Sequence, residues 1–236
     1  MKYKHEASVV YRNYMRIAKK IHKSLVAAGQ TFDARILDWG GLDGVLANIL
    51  FELGYKNITV YEFNKTCLFD FERFPNLRHV TYITNDEAVR LPFETESFDV
   101  VVSCGVLEHV AFIQQSVVEL NRVLRYGAHF FVFHFPQKTS WTEFVVSHLS
   151  GSGHTRKYSA RELVLVLQNN GFGIKQFWKF NLFPKTFHGL PDGIFRLYSL
   201  FSKPIYAMDG ILSKIPVLNL LCNSLECWCK KVRHHN

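Results

Sequence analysis

Near the start of the chain, apolar residues recur at helical spacing: Val9 or Val10, Tyr14, Ile17, Ile21 and Leu25. The repeat predicts one amphipathic helix over 5–28, closed by Gly29, a residue suited to a C-cap. At Ala34 the pattern changes. Ala34-Arg35-Ile36-Leu37-Asp38 is a short apolar run halted by Trp39-Gly40-Gly41, as expected of a buried strand entering a tight turn. The positions that follow predict a helix over 44–53, a strand over 57–63, a helix over 65–74, and strands over 77–83 and 98–103. A helix over 113–124 and a buried strand over 129–135 come next. Ser159 and Glu162 have the spacing of a capping box, which opens a helix through Leu163 and Leu167, and a strand over 174–180 follows. Strands alternating with helices in this way predict an α/β fold with a mostly parallel sheet and helices on both faces.

The rhythm breaks after residue 181. Pro184, Pro191, Pro204 and Pro216 interrupt an apolar stretch containing Phe183, Phe187, Phe195, Phe201 and Ile211, which reads as broken helices forming a cap. Leu225 to Val232 alternates and reads as a final strand returning to the sheet. The chain therefore divides into an N-terminal helical segment (1–30), a core (31–181), a helical cap (182–223), and a last strand with a basic tail (224–236).

Ligands of open α/β sheets bind beyond the carboxyl ends of the strands, so candidate chemistry is sought there. The first such junction, Asp38-Trp39-Gly40-Gly41-Leu42-Asp43-Gly44, has glycines that allow a tight turn and close approach of a ligand to the backbone. The second, Val60-Tyr61-Glu62, ends on an acid placed to accept from ribose hydroxyls. No G-x-G-x-x-G is present, and Asp38 and Asp43 put negative charge where a pyrophosphate needs positive potential. A cationic cofactor carrying a ribose suits these acids better than a dinucleotide.

The run Leu91-Pro92-Phe93 through Ser97-Phe98-Asp99-Val100-Val101-Val102-Ser103, continued by Gly105-Val106-Leu107-Glu108-His109-Val110, resembles the signature of the type-11 class I methyltransferases. The resemblance covers roughly residues 33–180. It implies a Rossmann-like seven-stranded sheet with a reversed last hairpin, S-adenosylmethionine as cofactor, and an enzyme that transfers its methyl group. Carried over residue by residue, it implies cofactor contacts from Asp38, Gly40, Gly41 and Gly44 in the first loop and from Glu62 to the ribose. Glu87 or Asp86, with the backbone of Ala88, would meet the adenine, and Ser103, Cys104 and Gly105 would line the sulfonium end. Leu42 departs from the pattern by occupying the place usually held by the loop's middle glycine.

Methyl transfer from a sulfonium demands alignment and exclusion of water more than covalent help, although an oxygen acceptor also needs to lose a proton. His134, His154 and His109 are the candidate catalytic groups, and Trp141 and Tyr158 are the candidate substrate contacts.

Composition narrows the partners. A net charge of +8 favours anionic ones, but no nucleic-acid-binding signature or long basic run accompanies it, which argues against nucleic acid. Cys222, Cys227 and Cys229 with His234 and His235 lack zinc-finger spacing, and no metal is expected. No segment reads as a signal peptide or a spanning helix, and five cysteines suit a reducing compartment, so a cytoplasmic location is expected. Apolar residues interleaved with Lys185, Arg196, Lys203 and Lys214 in the cap suggest contact with an anionic membrane surface. The expectation is an O-methyltransferase of a small or lipid-linked acceptor in cell-surface glycan or lipid synthesis. The alternatives are a protein or RNA acceptor, or a catalytically silent methyltransferase fold used for binding.

Overall fold

The computed structural model describes residues 2–63, 71–149, 154–184 and 192–232. Its centre is a sheet of seven strands in the order β3-β2-β1-β4-β5-β7-β6. β1 (Ile36–Trp39), β2 (Ile58–Glu62), β3 (Thr81–Thr84), β4 (Phe98–Cys104) and β5 (Leu124–Pro136) run parallel. β7 (Ser224–Lys231) is antiparallel to both its neighbours, β5 and β6 (Phe172–Phe180). The reversed last hairpin is therefore present, and the alternating segment after Leu225 is the seventh strand.

Parallel strands buried on both faces need apolar residues at consecutive positions, and β4 supplies them: Val100, Val101 and Val102 are all fully buried. Two apolar clusters result, one on each side. α1 (Lys2–Ala27) and α2 (Val45–Glu52) cover one face with Ile17, Ile21, Leu25, Leu46 and Ile49. α3 (Ile113–Val123) and α5 (Ala160–Asn169) cover the other with Val117, Leu120, Leu163 and Leu167. The Ser159–Glu162 capping box forms as its spacing predicted.

Two predicted elements need correction. The helix expected over 65–74 lies partly outside the described residues, and its described end is a turn over 71–73 followed by irregular chain at Phe74. The strand expected over 77–83 begins only at Thr81, because Pro75 opens a 3-10 helix, Pro75–His79, whose first turn tolerates the missing N–H. α4 (Trp141–Leu149) was not anticipated. The cap consists of α6 (Asp192–Leu200) and α7 (Ser202–Leu212), and Pro204 sits harmlessly in the first turn of α7. Phe187 and Leu190 lie outside the described residues, as do Lys185 and the tail histidines His234 and His235. Only the backbone of Ile194, Phe195 and Arg196 is described.

His129 in β5 is almost wholly buried and accepts a hydrogen bond at Nδ1 from Trp228 Nε1 in β7 at 3.1 Å. Burial, with Lys230 and Lys175 adding positive charge, pushes its pKa down to about 4. An unfolded imidazole takes its proton near pH 6.5, so lowering the pH from about 6.5 towards 4 favours the unfolded chain. Thermal midpoints should fall through that interval, and His129→Gln should flatten the slope.

Candidate active site

The loop between β1 and α2 is built from left-handed residues. Gly40 (φ +73°), Leu42 (φ +48°) and Gly44 (φ +78°) all have positive φ. A Cβ on Gly40 would sit 2.4 Å from Val106, and one on Gly41 would sit 2.7 Å from both Asp38 Oδ2 and Val60. The backbone is thus pressed against the strand ends, leaving no room for side chains at either position. Leu42 takes a left-handed conformation at a strain cost of about 1 kcal/mol. Its side chain is half exposed, and its N–H donates to Glu62 Oε2 at 2.7 Å. With Leu42 in place, the loop closes onto Glu62 through this N–H.

Asp38 is buried at the end of β1. Burial first, then the charges of Glu62 and Asp43, raise its pKa to about 7. Its Oδ2 is buried without a hydrogen-bond partner. A carboxylate with one oxygen buried and unpartnered is stabilised by a cation, and a cofactor with an ammonium and a sulfonium group supplies that charge. Glu62, also buried, ends β2 beside it. The residues present thus fit S-adenosylmethionine.

Along the sheet edge, Tyr61 Oη donates to the carbonyl of Glu87 at 2.7 Å and pins the 85–88 segment that would face the adenine. Asp86 and Glu87 are exposed there, while Ala88 is half buried against the core. On β4, Ser103 is buried beside Trp39, and Cys104 and Gly105 (φ +70°) turn the chain out of the sheet.

The three candidate histidines separate into two places. His134 has positive φ (+59°) at an irregularity in the β5–β7 pairing. Its Nε2 accepts from Asn13 Nδ2 at 2.6 Å, and its Nδ1 lies 3.6 Å from Cys104 Sγ. It joins α1 to the strand ends. Tyr14, next along α1, lies near Cys104, Asp38 and Asp43; burial, followed by their negative charge, pushes its hydroxyl well above the usual tyrosine range. α1 is thus part of the site, a role its amphipathic pattern alone did not disclose.

His109 and His154 lie together, their ring centroids 5.7 Å apart. His154 Nδ1 is 2.8 Å from Glu143 Oε1, and its backbone N–H donates to Glu143 Oε2 at 3.1 Å. Asn223, just before β7, donates to Glu143 Oε1 at 2.9 Å. These hydrogen bonds hold the Glu143 carboxyl down at about 2 against the opposing effect of burial. Burial and the neighbouring His154 push His109 below the ordinary imidazole value. Glu108 is buried, its Oε1 3.9 Å from His109 Nε2 and 3.7 Å from where a Gly105 side chain would start. The cluster therefore stands at the carboxyl end of β4, where the sulfonium end of the cofactor is expected. Glu143 and Asn223 were not foreseen as site residues, since only the fold brings them to His154.

Trp141 Nε1 donates to the carbonyl of Leu182 at 2.6 Å, tying α4 to the cap. Tyr158 stacks on Phe135 with centroids 4.5 Å apart, and its backbone pairs with Pro136 and Lys138. Gln137 donates to the carbonyls of Asn219 and Leu220, so the cap is fastened to the segment carrying Glu143. Cys227 and Cys229 are buried neighbours on one face of β7, as their alternation predicted.

A family model described as a methyltransferase domain matches residues 37–132. Over 81 residues the chain is 28% identical to a highly reducing polyketide synthase of Penicillium soppii; this is 34% of the chain and 3% of that much longer protein. Among solved structures, a SAM-dependent methyltransferase of Thermotoga maritima superposes with a TM-score of 0.61 at 14% identity, covering 98% of this chain and 92% of its own. A SAM-dependent methyltransferase of Methanosarcina mazei gives 0.58 at 16%, covering 88% and 97%. The YcgJ protein of Bacillus subtilis gives 0.59 at 16%, covering 94% and 99%. At these identities the structural likeness establishes the fold.

Proposed function

From a chain whose residues 37–132 form a methyltransferase domain of the type-11 class I kind, we propose an O-methyltransferase that acts on a lipid-linked acceptor at an anionic membrane surface. S-adenosylmethionine, when bound, supplies a methyl group already activated by a positive sulfur. Asp38 and Glu62 would hold the cofactor's cationic and ribose groups, and the 85–88 segment would border its ring. The Glu108–His109–His154 cluster receives the acceptor hydroxyl. That cluster would orient the hydroxyl and let its proton pass to solvent as the oxygen takes up the methyl group.

The observation that carries the lipid half is the cap. Leu197, Leu200, Phe201, Met208, Ile211 and Val217 are each more than half exposed, and Lys203 and Lys214 are exposed among them. Apolar side chains with interspersed lysines suit the headgroup boundary of an anionic bilayer. An open depression of about 370 Å³ lined by Arg12, Arg16, Lys19 and Tyr206 lies between α1 and α7; Arg16 is paired there with Glu226, and Arg12 and Lys19 offer positive charge to a headgroup phosphate. In it, Arg12 Nε and Tyr206 Oη are buried without hydrogen-bond partners. No helix among the described residues is long and apolar enough to cross a membrane, so contact would be peripheral.

The wild type should sediment with vesicles containing anionic lipid and transfer labelled methyl from S-adenosylmethionine into the organic phase of a membrane extract. Phe201→Asp with Ile211→Asp should weaken vesicle binding at least tenfold while leaving cofactor affinity unchanged. Absence of wild-type vesicle binding would remove the lipid half of the reading and leave methyl transfer standing.

A further inference from the structure

Two imidazoles and one carboxylate converge beside Gly105. Glu108, His109 and His154 each offer a ligand atom, all within 4.8 Å of one another. Glu108 and His109 come from the turn after β4, and His154 from the segment before α5. Arg156 fixes these two stretches together, donating to the carbonyls of Val110 at 2.8 Å and Ala111 at 3.3 Å. The two stretches that carry the set are thus tied together by the fold, with Glu108 buried, His154 half-buried and His109 exposed.

A second observation points to an ion. Metal-bound histidines almost always give their other ring nitrogen to a carboxylate, which sets the tautomer and the direction of the ligating lone pair. His154 has this arrangement: Nδ1 is engaged by buried Glu143, itself fixed by Asn223, so an ion would bind on Nε2. Two histidines and one carboxylate make three ligands, fewer than a divalent first-row ion takes, and are a donor set that suits such ions.

We propose that Glu108, His109 and His154 form a binding site for a divalent transition-metal ion, with Glu143 as its positioning carboxylate and the open positions facing the acceptor. Sequence spacing gave no hint of it, since the ligands come from two separate turns. The ion-binding itself stands on this geometry alone. Its role, to draw the acceptor oxygen in and ease loss of its proton to water, rests on the methyl-transfer reading.

The test is titration of chelator-treated full chain with Mn²⁺ and Co²⁺, followed by calorimetry, Mn²⁺ spin resonance and the visible spectrum of Co²⁺. One ion per chain is expected, with a Co²⁺ spectrum showing imidazole ligation. His154→Ala and His109→Ala should each abolish stoichiometric binding; His109 is largely exposed, so its replacement keeps the fold. Glu143→Gln should weaken affinity by roughly 10–100-fold while keeping the stoichiometry. Replacing His234 and His235 together by Ala should change nothing, which separates the site from the tail. Absence of stoichiometric binding, or binding that survives both His109→Ala and His154→Ala, overturns the proposal. S-adenosylmethionine titrated into the same samples distinguishes the two readings: cofactor binding without an ion removes only the metal site, and an ion without cofactor binding removes only its role in methyl transfer.

Discussion

Glu226→Ala should lower the unfolding free energy by about 3–5 kcal/mol, the usual consequence of stripping one partner from a buried ion pair. For a domain of this size that is a fall of roughly 10 °C in the thermal midpoint. Glu226 lies in β7 with no exposed surface, and it accepts from Arg16 at 2.5 and 2.9 Å and from Lys20 at 2.9 Å. Both cations are held in place by aromatic faces, Arg16 over Phe180 at 3.9 Å and Lys20 over Trp178 at 4.1 Å. Without the carboxylate they remain partly buried, adjacent and uncompensated. The paired cations hold the Glu226 carboxyl well below the ordinary range despite its burial. The stability it contributes is therefore complete above the unfolded value near 4.3 and drains away only as the pH falls below it. Apolar replacement of all three charges, Glu226→Leu with Arg16→Met and Lys20→Met, should recover most of the loss in chemical denaturation, because the penalty arises from orphaned charge. A single variant as stable as the wild type would mean that α1 is not anchored through this pair.

Glu62→Ala should weaken S-adenosylmethionine binding by roughly 10–100-fold, the range expected when a hydrogen bond to a charged group worth about 1.5–3 kcal/mol is lost. Two effects act together. The carboxylate at the end of β2 is where the ribose is expected, and it also accepts the Leu42 N–H that holds the loop in its left-handed course. Glu62→Gln keeps an acceptor for Leu42 while removing the charge, so calorimetry should place it between wild type and Glu62→Ala. Equal affinity in all three would mean that the cofactor is not seated across β1 and β2.

The parts of this site that were legible in the sequence are local. Asp38, the glycines after it and Glu62 sit where one strand meets its next turn, and a backbone constraint or an apolar run marks each place within a few residues. β7 was legible for the same reason, since alternation survives at the end of the chain. What could not be read depends on distant pairing. Asn13 meets His134 across 121 residues, and Asn223 meets Glu143 across 80. No periodicity encodes such contacts. The strand expected over 77–83 failed for a local reason, as Pro75 favoured a tight helical turn over extension.

The placement of β7 has a consequence for the order in which the protein can come into being. β7, which follows β5 and β6 in the chain, is inserted between them, and its Glu226 holds α1, which precedes them all. That helix carries Asn13 and Tyr14 to the strand ends. A nascent chain therefore carries a sheet with an open slot and an unmoored first helix until residues 224–231 emerge from the ribosome. Seating of Asn13 and Tyr14 at the strand ends waits on that segment.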